Sequence, residues 1–222
     1  MTALVLQARL DSSRLPGKAM LPLGGKPLIS RVMEALSVIP ADKKILACPE
    51  DSVASFAPLA EQEGFSLIPG PKEDVLARYC LVIRKSGADR IIRATGDNPF
   101  VFSDAAVAIN IEAAELAADY ACYFGLPHGA GVESVASEAL QRAEREAKDP
   151  AEREHVCPYL YRHPEFFRLH RPLAPSRWQG PELRLTVDTA EDYKRALVIY
   201  ERLSAFPVEG RNLGANVIAA NK

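Results

Sequence analysis

An α/β fold with a mostly parallel sheet and helices on both faces is predicted by three observations. Short apolar runs at residues 3–6, 44–48 and 90–95 have the length and continuity of strands buried on both sides. Between them lie stretches whose apolar residues recur at helical spacing, as in Leu28, Ile29, Val32, Met33 and Leu36. The chain of 222 residues, 48% apolar and 25% charged, suffices for one α/β domain with a sizeable core.

The elements follow in order. The first strand ends at Gln7, and a polar, arginine-rich loop leads to Pro27, whose fixed φ suits the first turn of a helix. A strand at 44–48, a helix at about 52–63 and a short strand at 66–68 come next. Asp74 opens a helix with Val75, Leu76, Tyr79, Val82 and Ile83 on its apolar side. Residues 90–95 form another buried strand, and Ser103 has the chemistry of an N-cap for the helix after it. The second half is less regular, around residues 120–182. It holds a strand at 119–123, a glycine-rich loop, a charged helix at 137–147 and a helical stretch from Pro150 with an aromatic cluster. Residues 172–181 read as a surface loop and 184–187 as a short strand. Thr189 with Asp192 gives a capping signature for the last long helix.

The net charge of −2 and isoelectric point near 6.1 provide no global attraction for nucleic acid or an anionic membrane. The four cysteines, Cys48, Cys80, Cys122 and Cys157, form no C-x-x-C pair and read as small core residues in a reducing compartment. No stretch reaches the roughly 18 apolar residues of a membrane span, and Met1 leads into a short apolar run without a basic flank. A cytoplasmic protein with neither membrane nor nucleic-acid partner is expected.

Charge is uneven locally. Residues 1–30 hold four cations, Arg9, Arg14, Lys18 and Lys26, against the single anion Asp11. In a parallel sheet, ligands bind beyond the carboxyl ends of strands, where this loop lies. Arginine and lysine donors, the Ser13 hydroxyl and backbone N–H groups near Gly17 suit a polyphosphate. The loop matches neither the dinucleotide nor the P-loop glycine pattern. Charge counting alone leaves a solvated basic turn equally open.

Two acids share one context. Asp97 follows the strand at 90–95 and precedes Asn98-Pro99, and Asp188 follows the apolar run at 184–187. Acids at the ends of two strands can converge on a hard cation that keeps waters and binds substrate phosphates, as Mg²⁺ does. Asp97 could equally be a turn former, and Asp188 a helix-capping carboxylate.

The run from Gln7 to Lys18, followed by Leu23-Gly24-Gly25-Lys26-Pro27, resembles the signature loop of cytidylyltransferases that activate acidic sugars. The likeness is to the spore-coat polysaccharide biosynthesis type, related to acylneuraminate and 3-deoxy-manno-octulosonate cytidylyltransferases. Glu73-Asp74-Val75-Leu76-Ala77-Arg78-Tyr79, Arg93-Ala94-Thr95-Gly96-Asp97-Asn98-Pro99, Glu154-His155-Val156 and Arg184-Leu185-Thr186-Val187-Asp188-Thr189 extend it in order to about Leu203. The resemblance implies a three-layer α/β/α sandwich of the nucleotide-diphospho-sugar transferase (GT-A-like) fold. It implies that a sugar hydroxyl attacks the α-phosphate of CTP with Mg²⁺ bound by Asp97 and Asp188.

By the same resemblance, Arg9, Arg14 and Lys18 serve the triphosphate, and Lys18 stabilises the transition state. Gln7, Ala8, Ser13, Lys26, Arg78 and Thr95 seat the nucleotide. Pro127-His128-Gly129-Ala130-Gly131-Val132-Glu133 resembles a family loop that usually reads Pro-Asp-Gly-x-Asp-x-Glu. It places His128, Gly129 and Glu133 at the acceptor with His155 and Arg184, and His128 and Gly131 stand where relatives carry acids. The implied partners are CTP, an acidic sugar and, for the family, a second copy of the chain. A glycosyltransferase on the same fold is the nearest rival, but such enzymes usually hold metal with Asp-x-Asp, which is missing here. A silent nucleotide-binding protein would have no use for both acids.

Overall fold

A computed structural model describes residues 1–207 and 210–221. In chain order the elements are β1 (Thr2–Gln7), β2 (Pro22–Leu23), β3 (Lys26–Pro27), α1 (Leu28–Ser37), β4 (Lys43–Pro49), α2 (Val53–Gln62), β5 (Ser66–Gly70), α3 (Val75–Ser86) and β6 (Arg90–Thr95). They continue with α4 (Ser103–Glu115), β7 (Tyr120–Ala121), β8 (Glu133–Ala136), α5 (Ser137–Glu146), α6 (Pro150–His155), α7 (Pro158–Arg162), β9 (Leu169–His170), α8 (Ala190–Leu203) and α9 (Gly214–Asn221).

Among the described residues the main sheet has seven strands in the order β5-β4-β1-β6-β8-β7-β9. The first four are mutually parallel, and β8 runs antiparallel to both β6 and β7. From β1 the chain steps outward through β4 to β5, then returns across the sheet to β6. Right-handed crossovers therefore put α1 and α2 on one face and α3 on the other. The side chains agree. Leu4 and Leu6 of β1 pack with α1, α2, α4, α8 and α9, while Ala3 and Val5 pack with α3, α5 and α7. A strand buried on both faces needs a continuous apolar run, which is why β1, β4 and β6 stand out in the sequence.

The reversal of direction after β5 makes a switch point between β1 and β6, with Gln7 level with Thr95. Loops leaving these two strands diverge and open a crevice. Gly96 lets the two strand ends close up. Its N–H donates to Gln7 O at 2.8 Å, and a Cβ there would lie 2.8 Å from Ala8 Cβ.

Several local expectations are corrected. Ser103 is not a cap but the first residue of α4, and its hydroxyl instead donates to Asn212 O at 3.1 Å. The strand at 119–123 shrinks to Tyr120–Ala121. Residues 184–187 are extended but form no ladder; Arg184 makes an isolated bridge to His128. The segment 172–181 is anchored by Trp178, which is buried and donates its indole N–H to Asp104 Oδ2 at 2.7 Å. The capping box at Thr189 and Asp192 is present, and the Asp74 carboxylate caps α3 through the Ala77 N–H. Cys48, Cys80 and Cys157 are buried free thiols, and Cys122 is half-buried. Burial pushes Cys48 to about 11 and Cys80 to about 12, so both are inert core residues.

Candidate active site

A cleft of about 300 Å³ opens at the switch point, between the loop after β1, the start of α3, the end of β6 and the end of α6. Of the expected residues, Gln7, Ala8, Arg9, Ser13, Arg14, Lys18, Arg78, Thr95, Asp97, His155 and Asp188 line it.

Its chemical centre is Lys18. Gly17 adopts a left-handed conformation, φ 67°, and starts a 3₁₀ turn that aims Lys18 across the strand ends. The ammonium donates to Asp188 Oδ1 at 2.9 Å, to Val187 O at 2.8 Å and to Asp97 Oδ2 at 3.2 Å. Arg14 approaches the same Asp188 Oδ1 at 2.9 Å, and Arg184 Nη2 donates to Oδ2 at 2.7 Å. Burial alone would raise the Asp188 pKa. The Lys18 hydrogen bond and the charges of Lys18, Arg14 and Arg184 outweigh it and hold the carboxyl below its ordinary value. The backbone is pinned as well, because Asp192 Oδ2 accepts from the Asp188 N–H at 3.1 Å.

Three oxygens around one ammonium make a small, hard, oxygen-lined cation position. Among the described residues, no group of three or more His, Cys, Asp or Glu side chains converges as a metal site. A cation held by Asp97 and Asp188 would therefore complete its shell from substrate and water, a donor set that fits Mg²⁺.

The remaining expected residues fall elsewhere. Lys26 pairs with Glu34 and Glu63 beneath α1 and does not line the cleft. Arg78 lines the cleft but keeps its guanidinium on the protein backbone. It is buried and donates to Pro71 O and Lys72 O, fixing the loop before α3. Arg184 orients Asp188 and Asp192 of its own chain, with no place in the cleft lining. His128 is exposed outside the lining. Gly129, at φ 91°, is packed so closely that a Cβ would lie 2.7 Å from Thr186 N and 2.8 Å from Asn98 Oδ1. Glu133 sits under the cleft floor, paired with Arg93 and accepting from Tyr120 Oη at 2.6 Å. His128, Gly129 and Glu133, expected at the acceptor, thus do not line this cleft. The loop that carries them packs against the site instead.

Arg93, Glu73 and Ser12 also line the cleft; they stand in the family-like runs without an expected role, and Lys72, a further lining residue, was not singled out. Lys72 bridges Asp11 at 2.7 Å and Asp51 at 2.9 Å, tying the basic loop to the opposite wall. One signal was available at Arg93, a second cation after Arg90 in a strand whose other central residues are apolar. Val156, just after His155, has φ 74° and ψ −60°, with the Cys157 N–H donating to His155 O at 2.9 Å. This is a γ-turn in a β-branched residue, a strained conformation that fixes the chain at the cleft rim.

The profile of the family described as cytidylyltransferase matches residues 3–210. The chain belongs to the cytidylyltransferase family. It is 32% identical over 210 residues to the spore coat polysaccharide biosynthesis protein SpsF of Bacillus subtilis, covering 91% of this chain and 88% of that one. A cytidylyltransferase structure from Leptospira borgpetersenii superposes with a TM-score of 0.85 at 24% identity, covering 98% and 92% of the two chains. The structure of CMP:2-keto-3-deoxy-manno-octonic acid synthetase complexed with CTP superposes at 0.70 and 19% identity, covering 90% and 98%. The enzyme is thus a nucleotidyltransferase on the nucleotide-diphospho-sugar transferase fold, and its cleft lies where that fold's strand order reverses.

Proposed function

We propose that this cytidylyltransferase transfers CMP from CTP to a hydroxyl of an acidic sugar, with Mg²⁺ at Asp97 and Asp188 and release of pyrophosphate for glycan biosynthesis. The observation that carries the reading is the meeting of Lys18 with Asp97 and Asp188, with Arg14 alongside, at the mouth of the cleft. Membership of the family supports CTP as donor, and the synthetase that shares the fold is named for a sugar acid.

Bound Mg²⁺ would neutralise phosphate charge and lower the pKa of an attacking hydroxyl. The chain's own residues do the rest. Arg14 and Lys18 leave their carboxylate partners for phosphate oxygens, since both are donors with no acceptor capacity. Lys18 stabilises charge building on the phosphates as the α–β bond breaks. Arg9, half-exposed and weakly held by Asp11 at 4.0 Å, is available to the same chain of phosphates. Ser12 and Ser13 supply hydroxyl donors from the loop. Asp188 is kept anionic and fixed by Arg184 and Asp192, so that its oxygens keep their direction when Lys18 moves.

The test is pyrophosphate release from each of the four nucleoside triphosphates with Mg²⁺, in the presence of a panel of acidic and neutral sugars. CTP with an acidic sugar should give the fastest release. Faster release with another triphosphate, or with neutral sugars, would overturn the corresponding half of the reading.

A further inference from the structure

At the floor of the cleft, Gln7 and Arg93 lie side by side. Arg93 Nε donates to Gln7 Oε1 at 3.2 Å. Arginine has no acceptor, so the amide atom facing it must be the oxygen, and the Gln7 NH₂ must face away. Arg93 itself cannot turn. Its Nη1 pairs with Glu133, which is held in turn by Tyr120 Oη at 2.6 Å, and its guanidinium lies 5.9 Å from the Tyr79 ring centroid. The Gln7 NH₂ has no hydrogen-bond partner among the described residues, and it is not a buried orphan; the one such side-chain atom is Asn98 Oδ1. Since Gln7 lines the cleft, its two N–H groups are open to whatever binds there.

Two further facts locate that ligand. Gln7 pairs with Thr95, which lies below Asp97, so it sits deeper than the phosphate-handling end at Lys18. The lining also includes Val75, an apolar residue at the start of α3. A triphosphate held at Lys18 and Arg14 leaves its flat, uncharged base for this part of the cleft.

We propose, building on the cytidylyltransfer reading, that Gln7 is the residue that selects cytosine over uracil, with Glu133 and Arg93 as positioning residues that fix its amide orientation. Cytosine offers two neighbouring acceptors, O2 and N3, to a donor that has nothing to accept with. Uracil keeps O2 but carries a hydrogen on N3, so one of the two Gln7 N–H groups would face a donor instead of an acceptor. A site built to make a hydrogen bond rejects the analogue that cannot complete it. Glu133 thus takes part in base choice through Arg93, without touching substrate.

The experiment measures CTP and UTP affinity by calorimetry for the wild type, Gln7→Glu and Glu133→Gln, with Mg²⁺ present. Gln7→Glu keeps the acceptor for Arg93 and turns the free donor into an acceptor. The wild type should favour CTP, and Gln7→Glu should lower the CTP-to-UTP affinity ratio by about tenfold or more, partly through a gain for UTP. Glu133→Gln should lower the ratio by less, since it loosens Arg93 without altering Gln7. Gln7→Leu, the control for a misfolded variant, should lose CTP affinity with no gain for UTP. A ratio unchanged within about twofold in Gln7→Glu, with CTP still bound, overturns this assignment alone. A wild type that binds no CTP overturns the functional reading beneath it.

Discussion

The Val187 N–H donates to the Asp97 carbonyl at 2.8 Å. With a longer one from Thr186 Oγ1 to the same carbonyl, at 3.5 Å, that bond joins the turn after β6 to the extended run before α8, which no strand ladder connects. The junction brings Asp97 and Asp188 to the same cation although they come from distant parts of the chain, and it uses neither acid's side chain. Side-chain changes at either acid should therefore leave the junction intact, and the first prediction relies on this.

Asp97→Asn should fold normally and lose Mg²⁺-dependent turnover by about a hundredfold or more, because a charge at a hard-cation site is worth several kcal/mol in the transition state. Pyrophosphate release at limiting Mg²⁺, with a melting curve as control, checks it. Wild-type turnover at limiting metal would remove Asp97 from the metal site.

Lys18→Ala should slow pyrophosphate release by about a hundredfold to a thousandfold, the usual cost of losing one preorganised electrostatic donor. It should also leave Asp97 and Asp188 without their ammonium. Mn²⁺ alone, followed by electron paramagnetic resonance, should then bind the variant more tightly than the wild type. Equal Mn²⁺ binding would mean that the two acids do not share the cation position with Lys18.

The pH dependence has a defined sign. The folded Asp188 carboxyl titrates below its unfolded value. Its contribution to stability is complete above the ordinary carboxylate range and is lost as the pH falls through that range to the lower folded value. Thermal melts from pH 7 to 3 should fall more steeply for the wild type than for Asp188→Asn. Parallel curves would show that the ion pairs around Asp188 contribute nothing to the acid limb.

Two backbone positions invite paired tests. Gly129→Ala combines φ 91° with a Cβ 2.7 Å from Thr186 N, and should cost about 2 kcal/mol or more by denaturant unfolding. At Val156 the comparison is between variants. Alanine loses buried contacts and keeps the unfavourable φ, whereas glycine removes it. Val156→Gly should therefore be more stable than Val156→Ala by about 1 kcal/mol. The reverse order would mean that the turn relaxes when the side chain is shortened.

What the sequence revealed follows from where each signal arises. β1 and β4 were legible because burial on both faces demands apolar runs, and β6 through its buried Ile91, Ile92 and Ala94. β8 was not, because its Glu133 and Ser134 look like loop residues until their partners Arg93 and Asn110 are in place. β7 and β9, each two residues long, are too short to show a period. Lys18, Arg14, Asp97 and Asp188 could be found from charge beside strand ends. Lys26 misled for the same reason: nearness along the chain said nothing of α1 turning its Glu34 toward it. Glu133 was expected at the acceptor, whereas its place beneath the floor depends on an antiparallel strand that pattern reading did not contain.

The ammonium between Asp97 and Asp188 also bears on how the protein depends on its surroundings. Those acids are balanced by a counterion that is covalently part of the chain and cannot be dialysed or chelated away. The fold therefore needs no divalent ion to balance these two carboxylates. If the proposed metal site is right, stripping divalent ions would silence the enzyme without unfolding it, and adding them back would restore activity without refolding.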